Sequence, residues 1–242
     1  MPDNDNDNDN DNDNDTTAAA SKATSANARL SHNLKPSAAL NAPTQPDSPA
    51  YFDAMFAQSD DPWSFRSRWY ERRKRALTMA CLPRERFTHA FEPGCANGEL
   101  SALLALRCDR LLATDGVDKA VSLAKIRLKH QANVDVRKAW VPDQWPLDKF
   151  DLIVLSEFLF YLPPEVVREI SLKAQATLMP GGVILACHWR HQVEHCVING
   201  DEVHSLLNQC INLPNQCHVV EPDLTIDVWK EGPGVGALEG LR

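Results

Sequence analysis

The 242-residue chain predicts an α/β fold, a mostly parallel sheet with helices on both faces. From residue 88 onward, short apolar runs alternate with helical patterns, the signature of successive β–α units. Runs such as FDLIVLSE (150–157) are apolar without alternation, as strands covered on both faces are. The stretch FEPGCANG (91–98) stands between a strand and a helix, where glycines let backbone approach a ligand and helix N-terminal amides face it. Crossovers in such a sheet are right-handed. Ligands bind beyond the carboxyl ends of the strands, where strand order reverses.

Residues 1–50 open with an Asp-Asn repeat and continue without helical or strand periodicity. Such a segment cannot bury enough apolar surface to offset its ordering entropy, so it reads as a disordered, low-complexity acidic tail. The repeat is read as slipped low-complexity sequence, with calcium or partner binding as the alternative; isolated Asp residues on a floppy chain do not preorganise a cation cage. Residues 51–242 form one domain, of which 51–82 are a helical cap. YFDAMFAQ (51–58) has helical spacing and DPWSF (61–65) is a turn, because Asp-Pro does not continue a helix. Residues 67–82 form an amphipathic helix that Pro83 stops.

The spacing then predicts strands at 88–93, 110–115, 133–139, 150–157 and 181–189. Between them it predicts helices at 98–107, 117–130 and 163–179, the last with its prolines in the first turn. A helix over 200–210, with Asp201 near its N-cap, leads into two strands within 217–231 joined at Glu221-Pro222-Asp223. That pair suits a terminal hairpin in which one edge strand runs antiparallel to the rest. Trp145 and Trp229 are read as core or rim residues.

Of 33 acidic and 25 basic residues, eight and three fall in 1–50, so the domain carries a net charge of −3. A near-neutral domain gives no electrostatic reason to expect nucleic acid. Seven scattered cysteines without a CxxC pair argue for reduced thiols in a cytoplasmic protein. No secretory leader is visible, and the most apolar run, 151–162, is too short to span a bilayer and contains Glu157. A soluble protein with a small-molecule partner and no membrane partner is the expectation.

FEPGCANG raises two readings, a reactive Cys95 or a glycine loop. A nucleophilic thiol needs a neighbouring base and an electropositive setting, and no base stands nearby in the sequence. A dinucleotide fingerprint needs G-x-G-x-x-G, but Ala96 takes its second glycine position. The next strand ends in Asp115, placed to accept both hydroxyls of a ribose. The fourth predicted strand ends in Ser156-Glu157, beside the loop if strands one and four flank the switch point.

These residues, in this order, are where a family resemblance becomes visible. EPGCANG, the Thr114-Asp115 pair and the two-strand ending resemble class I S-adenosylmethionine-dependent methyltransferases. DPWSF, WYERRK, EPGCANGELSALLALRCDRLLATD, FDLIVLSEFLFYL and GGVILACHWR are similar, more narrowly, to the nodulation protein S type of N-methyltransferase. The resemblance covers about 51–231. It implies a Rossmann-like seven-stranded sheet ordered 3-2-1-4-5-7-6 with strand 7 antiparallel, and S-adenosyl-L-methionine as methyl donor. It also implies that Glu92, Gly94, Cys95 and Gly98 cradle the methionine moiety and Asp115 takes the ribose. Ser156 and Glu157 would then lie beside the sulfonium. The acidic residue that often follows strand three is absent, so Trp140 in KAWV (138–141) stands in as the adenine contact. Tyr70 and Arg73, or Lys74, are expected to face the cofactor from the cap.

Members of the narrower family methylate a free amine on an N-deacetylated amino sugar or chitooligosaccharide, which this chain is expected to share. Trp63, Phe65 and Tyr161 suit the apolar faces of a sugar, and Glu157 or His188 would take the amine proton. His188, His191 and His195 suggest a metal, but HExxH is absent and methyl transfer needs none, so no metal is expected. Methyl transfer to another small-molecule or protein acceptor, and a non-catalytic nucleotide-binding module of the same fold, are the alternatives.

Overall fold

The computed structural model describes residues 48–241; the predicted tail at 1–50 lies almost wholly outside them. Two helices come first, α1 (Pro49–Gln58) and α2 (Trp69–Cys81), followed by a seven-stranded sheet in the order β3-β2-β1-β4-β5-β7-β6. The strands are β1 (Phe87–Pro93), β2 (Cys108–Asp115), β3 (Val134–Lys138), β4 (Phe150–Ser156), β5 (Leu178–Trp189), β6 (Asn215–Val220) and β7 (Leu224–Lys230). Helices α3 (Ser101–Leu104), α4 (Asp118–Arg127), α5 (Pro164–Thr177) and α6 (Gly200–Cys210) connect them, and α7 (Val235–Leu238) follows.

The central strands form because their side chains have no exposed face to occupy. Leu152, Ile153, Val154 and Leu155 of β4 are all 0% exposed, and burying each contributes about 1.5–3 kcal/mol relative to exposure. Phe91, Phe150, Ile153, Ile170 and Ile184 build the core on one face of the sheet, and Phe87, Leu111, Leu152, Val183 and Leu185 on the other. β1 lies between β2 and β4. The order therefore reverses where the glycine loop leaves β1.

The sheet has the order that the family resemblance implies, with β7 antiparallel, and the antiparallel strand of the predicted hairpin lies inside the sheet rather than at its edge. β7 is antiparallel to both β5 and β6 and lies inside the sheet; β6 is the edge. All seven residues of β7 are buried, whereas β6 alternates with exposed positions. The Asp227 and Lys230 side chains within β7 disguise an interior strand.

The helix expected over 98–107 shrinks to α3 and a single 3-10 turn at Ala105–Arg107, and Gly98, at φ 81°, belongs to the left-handed loop rather than to a helix. The helix expected over 163–179 yields Leu178 and Met179 to β5. At α6 the N-cap is Asn199, in a reciprocal capping box with Glu202. Asp201 instead pairs with Arg190 at 2.7 Å.

Candidate functional site

The glycine loop takes its shape from left-handed backbone. Gly94 (φ 71°), Ala96 (φ 48°) and Gly98 (φ 81°) all have positive φ. A Cβ at Gly94 would meet the Phe158 ring at 3.2 Å, and one at Gly98 the Ala124 backbone at 3.2 Å, so both positions need glycine for space as well as for conformation. The loop is tied to the end of β2. The Cys95 amide donates to the Thr114 carbonyl and the Ala96 amide to Asp115 Oδ2, each at 2.9 Å. Asp115 Oδ1 accepts from the Val117 amide at 2.9 Å.

Cys95 is 4% exposed and packs with Ala102, Ala113, Val121, Ala124 and Leu128. Burial, with Asp115 and Glu92 close by, pushes its thiol well above the ordinary range, so it is a neutral core residue here rather than a thiolate. Glu92, next to the loop, is 3% exposed and its Oε2 has no partner. Desolvation pushes its carboxyl up to about 8, with Ser101 opposing and Asp115 adding to the rise. Asp115 is likewise pushed up to about 6 by desolvation, against the pull of its backbone donors.

The cap closes over these strand ends through specific bonds. Asp61 of the DPWSF turn accepts from the Phe65 and Arg66 amides at 2.8 and 3.0 Å, and also from Asn97 Nδ2 in the glycine loop at 3.0 Å. That role of Asp61 is absent from the sequence reading; a turn-starting Asp four and five residues before the Phe65 and Arg66 amides is its only signal. Trp63 stacks on Phe65 with centroids 5.4 Å apart, and Phe52 packs against Trp140 and Tyr161 at 6.1 and 5.0 Å. Tyr161 is buried. Trp140 lies directly over Gly116, where an added Cβ would be 2.0 Å from its ring.

Helix α2 reverses the expected polarity. Trp69 is 68% exposed while Glu71, Lys74, Arg75 and Thr78 are buried. Lys74 Nζ sits 3.0 Å from Glu71 and 3.4 Å from Glu157, with the Tyr70 ring 5.2 Å away. Glu157 follows Ser156 at the end of β4 with φ 62°, a conformation that costs a non-glycine residue roughly 1–2 kcal/mol. Desolvation raises the Glu157 carboxyl, and Lys74 works against that rise. Arg73, expected to face the cofactor, is engaged elsewhere, by both oxygens of Glu221 at 2.5 and 2.6 Å. Tyr70 packs edge-on against Trp189 at 5.2 Å, and its hydroxyl donates to the Asp223 carbonyl at 3.4 Å.

The arrangement thus brings Glu92, Gly94, Gly98, Asp115 and Ser156-Glu157 to one edge of the sheet and covers that edge with aromatic residues. The family model for Nodulation protein S (NodS) matches residues 54–188, more than half of the chain. The chain belongs to the NodS family. Over 105 residues it is 32% identical to Nodulation protein S of Rhizobium tropici, covering 43% of this chain and 44% of that one. It thus matches less than half the length of that NodS protein. A putative methyltransferase from Pseudomonas syringae is 46% identical, with a TM-score of 0.62, over 68% of this chain and all of that one. The NodS N-methyltransferase of Bradyrhizobium japonicum, solved with S-adenosyl-L-homocysteine, has a TM-score of 0.66 at 23% identity, over 74% of this chain and 96% of that one. The strand order is that of the class I methyltransferase fold.

The NodS cradle fits S-adenosylmethionine. Glu92 Oε2 and Asn97 Oδ1 are buried acceptors without a donor, and the α-ammonium of the methionine moiety supplies donors of the matching charge. The Asp115 carboxylate accepts from the Ala96 and Val117 amides, and its four lone-pair sites leave capacity for a ribose hydroxyl. Lys138, at the end of β3, pairs with Asp118 at 2.7 Å. Among the described residues, no three His, Cys, Asp or Glu are placed to hold a metal ion, and no helix is long and apolar enough to cross a membrane.

Glu92 makes the cofactor-free protein pH-sensitive. Its folded pKa, about 8, lies above its unfolded value. Its contribution is therefore complete in acid and is lost as pH rises through 8. Thermal unfolding without cofactor should show a loss on the order of 4 kcal/mol between pH 5 and 9 that Glu92→Gln removes. A wild-type slope retained in E92Q would place the titration on another group.

Proposed function

We propose that the chain is an S-adenosylmethionine-dependent N-methyltransferase whose acceptor is the free amine of an N-deacetylated amino sugar or chitooligosaccharide. The observation that carries this reading is the charge at the end of β4. Two carboxylates, Glu71 and Glu157, flank the buried cation Lys74, placing carboxylate at a floor that favours a cationic acceptor. The description of the B. japonicum neighbour as an N-methyltransferase supports the same reading.

When bound, the cofactor supplies an electrophilic methyl on a sulfonium. The chain supplies position and a dry enclosure, which is where most of the rate arises in an in-line transfer. Gly94 and Gly98 hold the loop open to the methionine moiety, and Asp115 orients the ribose. Trp140 offers the adenine a flat apolar face above Gly116. Trp63, Phe65 and Tyr161 give apolar faces to the sugar, and Tyr70 adds a π-face near the charge.

The deciding experiment presents labelled S-adenosylmethionine with chitooligosaccharides before and after N-deacetylation. Label should enter only the deacetylated substrate. Equal incorporation into both substrates would move the acceptor to a hydroxyl, and failure to bind S-adenosylhomocysteine at millimolar concentration would remove the enzyme reading.

A further inference from the structure

A polar assembly next to the site has no role so far. β5 carries His188 near its carboxyl end, α6 carries His204 and β7 carries Asp227, with side chains 0%, 4% and 0% exposed. His204 Nδ1 meets Asp227 Oδ2 at 2.5 Å, and His204 Nε2 meets His188 Nδ1 at 3.1 Å. Asp227 Oδ1 also accepts from His218 Nδ1 at 2.7 Å and from Asn215 Nδ2 at 2.5 Å. The last ring nitrogen of the row, His188 Nε2, is buried without a partner, beside the edge of Phe160 at 5.8 Å.

Counting protons along the row fixes its direction. Burial alone would raise the Asp227 carboxyl, but the donors around it hold it below the ordinary range. An ionised Asp227 only accepts, so His204 carries its proton on Nδ1 and presents a lone pair at Nε2. His188 then donates from Nδ1 and is left with a bare lone pair at Nε2. A buried acceptor without a donor costs about 1–3 kcal/mol. An arriving N–H recovers that energy.

We propose that His188 Nε2 takes the proton of the acceptor amine, with His204 and Asp227 as the positioning residues that fix its tautomer and share its charge. This rests on the amine-acceptor reading above. Methylation of an ammonium releases one proton overall, and the proton must leave a site closed to water. The amine N–H bond breaks with its electron pair staying on nitrogen, and the proton bonds to His188 Nε2. The Nδ1 proton of His188 shifts to His204 Nε2, leaving His188 neutral and His204 an imidazolium paired with Asp227. Glu157 is ion-paired with Lys74 at 3.4 Å and its Oε1 is without a hydrogen bond, like His188 Nε2, but only His188 has a hydrogen-bonded row behind it to carry a proton away. Burial first, then His204 and Lys74, hold the His188 imidazole well below its ordinary range, so it stays neutral near pH 7. The charged or titratable groups around the row are Lys74 on α2, His204 and Asp201 on α6, Asp227 on β7 and His218 on β6.

Nitrogen-15 NMR of histidine-labelled protein bound to S-adenosylhomocysteine tests the row directly. The expected wild-type spectrum has His188 protonated at Nδ1, with an Nε2 signal that moves on adding glucosamine and not N-acetylglucosamine. Asp227→Asn, whose amide donates towards His204, should turn the row round and protonate His188 at Nε2. With N-deacetylated chitooligosaccharide, D227N and His188→Gln should each lose about 100-fold or more in kcat. H188Q should keep S-adenosylhomocysteine affinity within about two-fold of wild type. Wild-type His188 protonated at Nε2, an Nε2 signal indifferent to glucosamine, or H188Q with the wild-type rate would each overturn the assignment. Retained cofactor binding with no turnover of the chitooligosaccharide counts against the acceptor instead, and the NMR results still decide the row.

Discussion

Replacing Lys74 with Met should destabilise the protein by about 3–5 kcal/mol, because removing one partner leaves buried charge uncompensated. Lys74 is 4% exposed and is the cation between Glu71 at 3.0 Å and Glu157 at 3.4 Å. Desolvation opposes its charge, but Glu157 and Glu71 outweigh that and hold its pKa above the ordinary lysine value. Without it, the Glu157 carboxyl loses the pull that opposes its desolvation and rises further. Stability tied to a raised carboxyl is present in acid and lost with increasing pH. The deficit of K74M, measured by urea unfolding, should therefore be larger at pH 8 than at pH 5. Adding Glu71→Gln to K74M should restore part of it at pH 8. A deficit under 1 kcal/mol at pH 8 would mean that the three groups are not coupled.

This triad also shows where reading the sequence stops. The resemblance implied that Arg73 or Lys74 faces the cofactor, but burial of Lys74 depends on Glu157, which lies more than eighty residues later. No periodicity within α2 carries that pairing. The strands, by contrast, were legible, since a parallel strand covered on both faces must be apolar along its whole length. The glycine loop was legible for a similar local reason. Positive φ at Gly94 and Gly98 is a demand on the residue itself, visible without its neighbours. β7 fell between these cases: its position inside the sheet is encoded by full burial, yet Asp227 and Lys230 give it the look of an edge.

The row of His188, His204 and Asp227 has the same character. Its members come from a strand, a helix and another strand, and only the antiparallel pairing of β5 with β7 brings the end residues together. His188 was visible as a strand-end imidazole. The partners that set its tautomer were not, because hydrogen-bond direction is a property of the assembled row. The cap gives a parallel example in Asp61, whose local turn bonds were readable but whose bond to Asn97 was not.

Asp115→Ala should weaken S-adenosylhomocysteine binding about 100-fold at pH 8, or ~2.7 kcal/mol, while the protein still folds. The side chain has two tasks, and both fail together. It receives the Ala96 and Val117 amides at 2.9 Å each, which hold the loop against β2, and in the proposed cradle its remaining lone pairs accept from the ribose hydroxyls. Loss of the backbone bonds costs about 1 kcal/mol each, which a strand-end residue can lose without unfolding the sheet. Isothermal calorimetry across pH separates charge from shape. With its carboxyl pushed up to about 6, Asp115 is ionised at pH 8 and largely protonated at pH 5. Wild-type affinity should therefore fall towards that of D115A as pH drops through 6, while the variant stays nearly flat. Asp115→Asn, which keeps one acceptor oxygen and no charge, should lie between them at pH 8. Affinity in D115A within three-fold of wild type at pH 8 would remove Asp115 from the cofactor cradle, and with it the assignment of β2 as the ribose-binding strand.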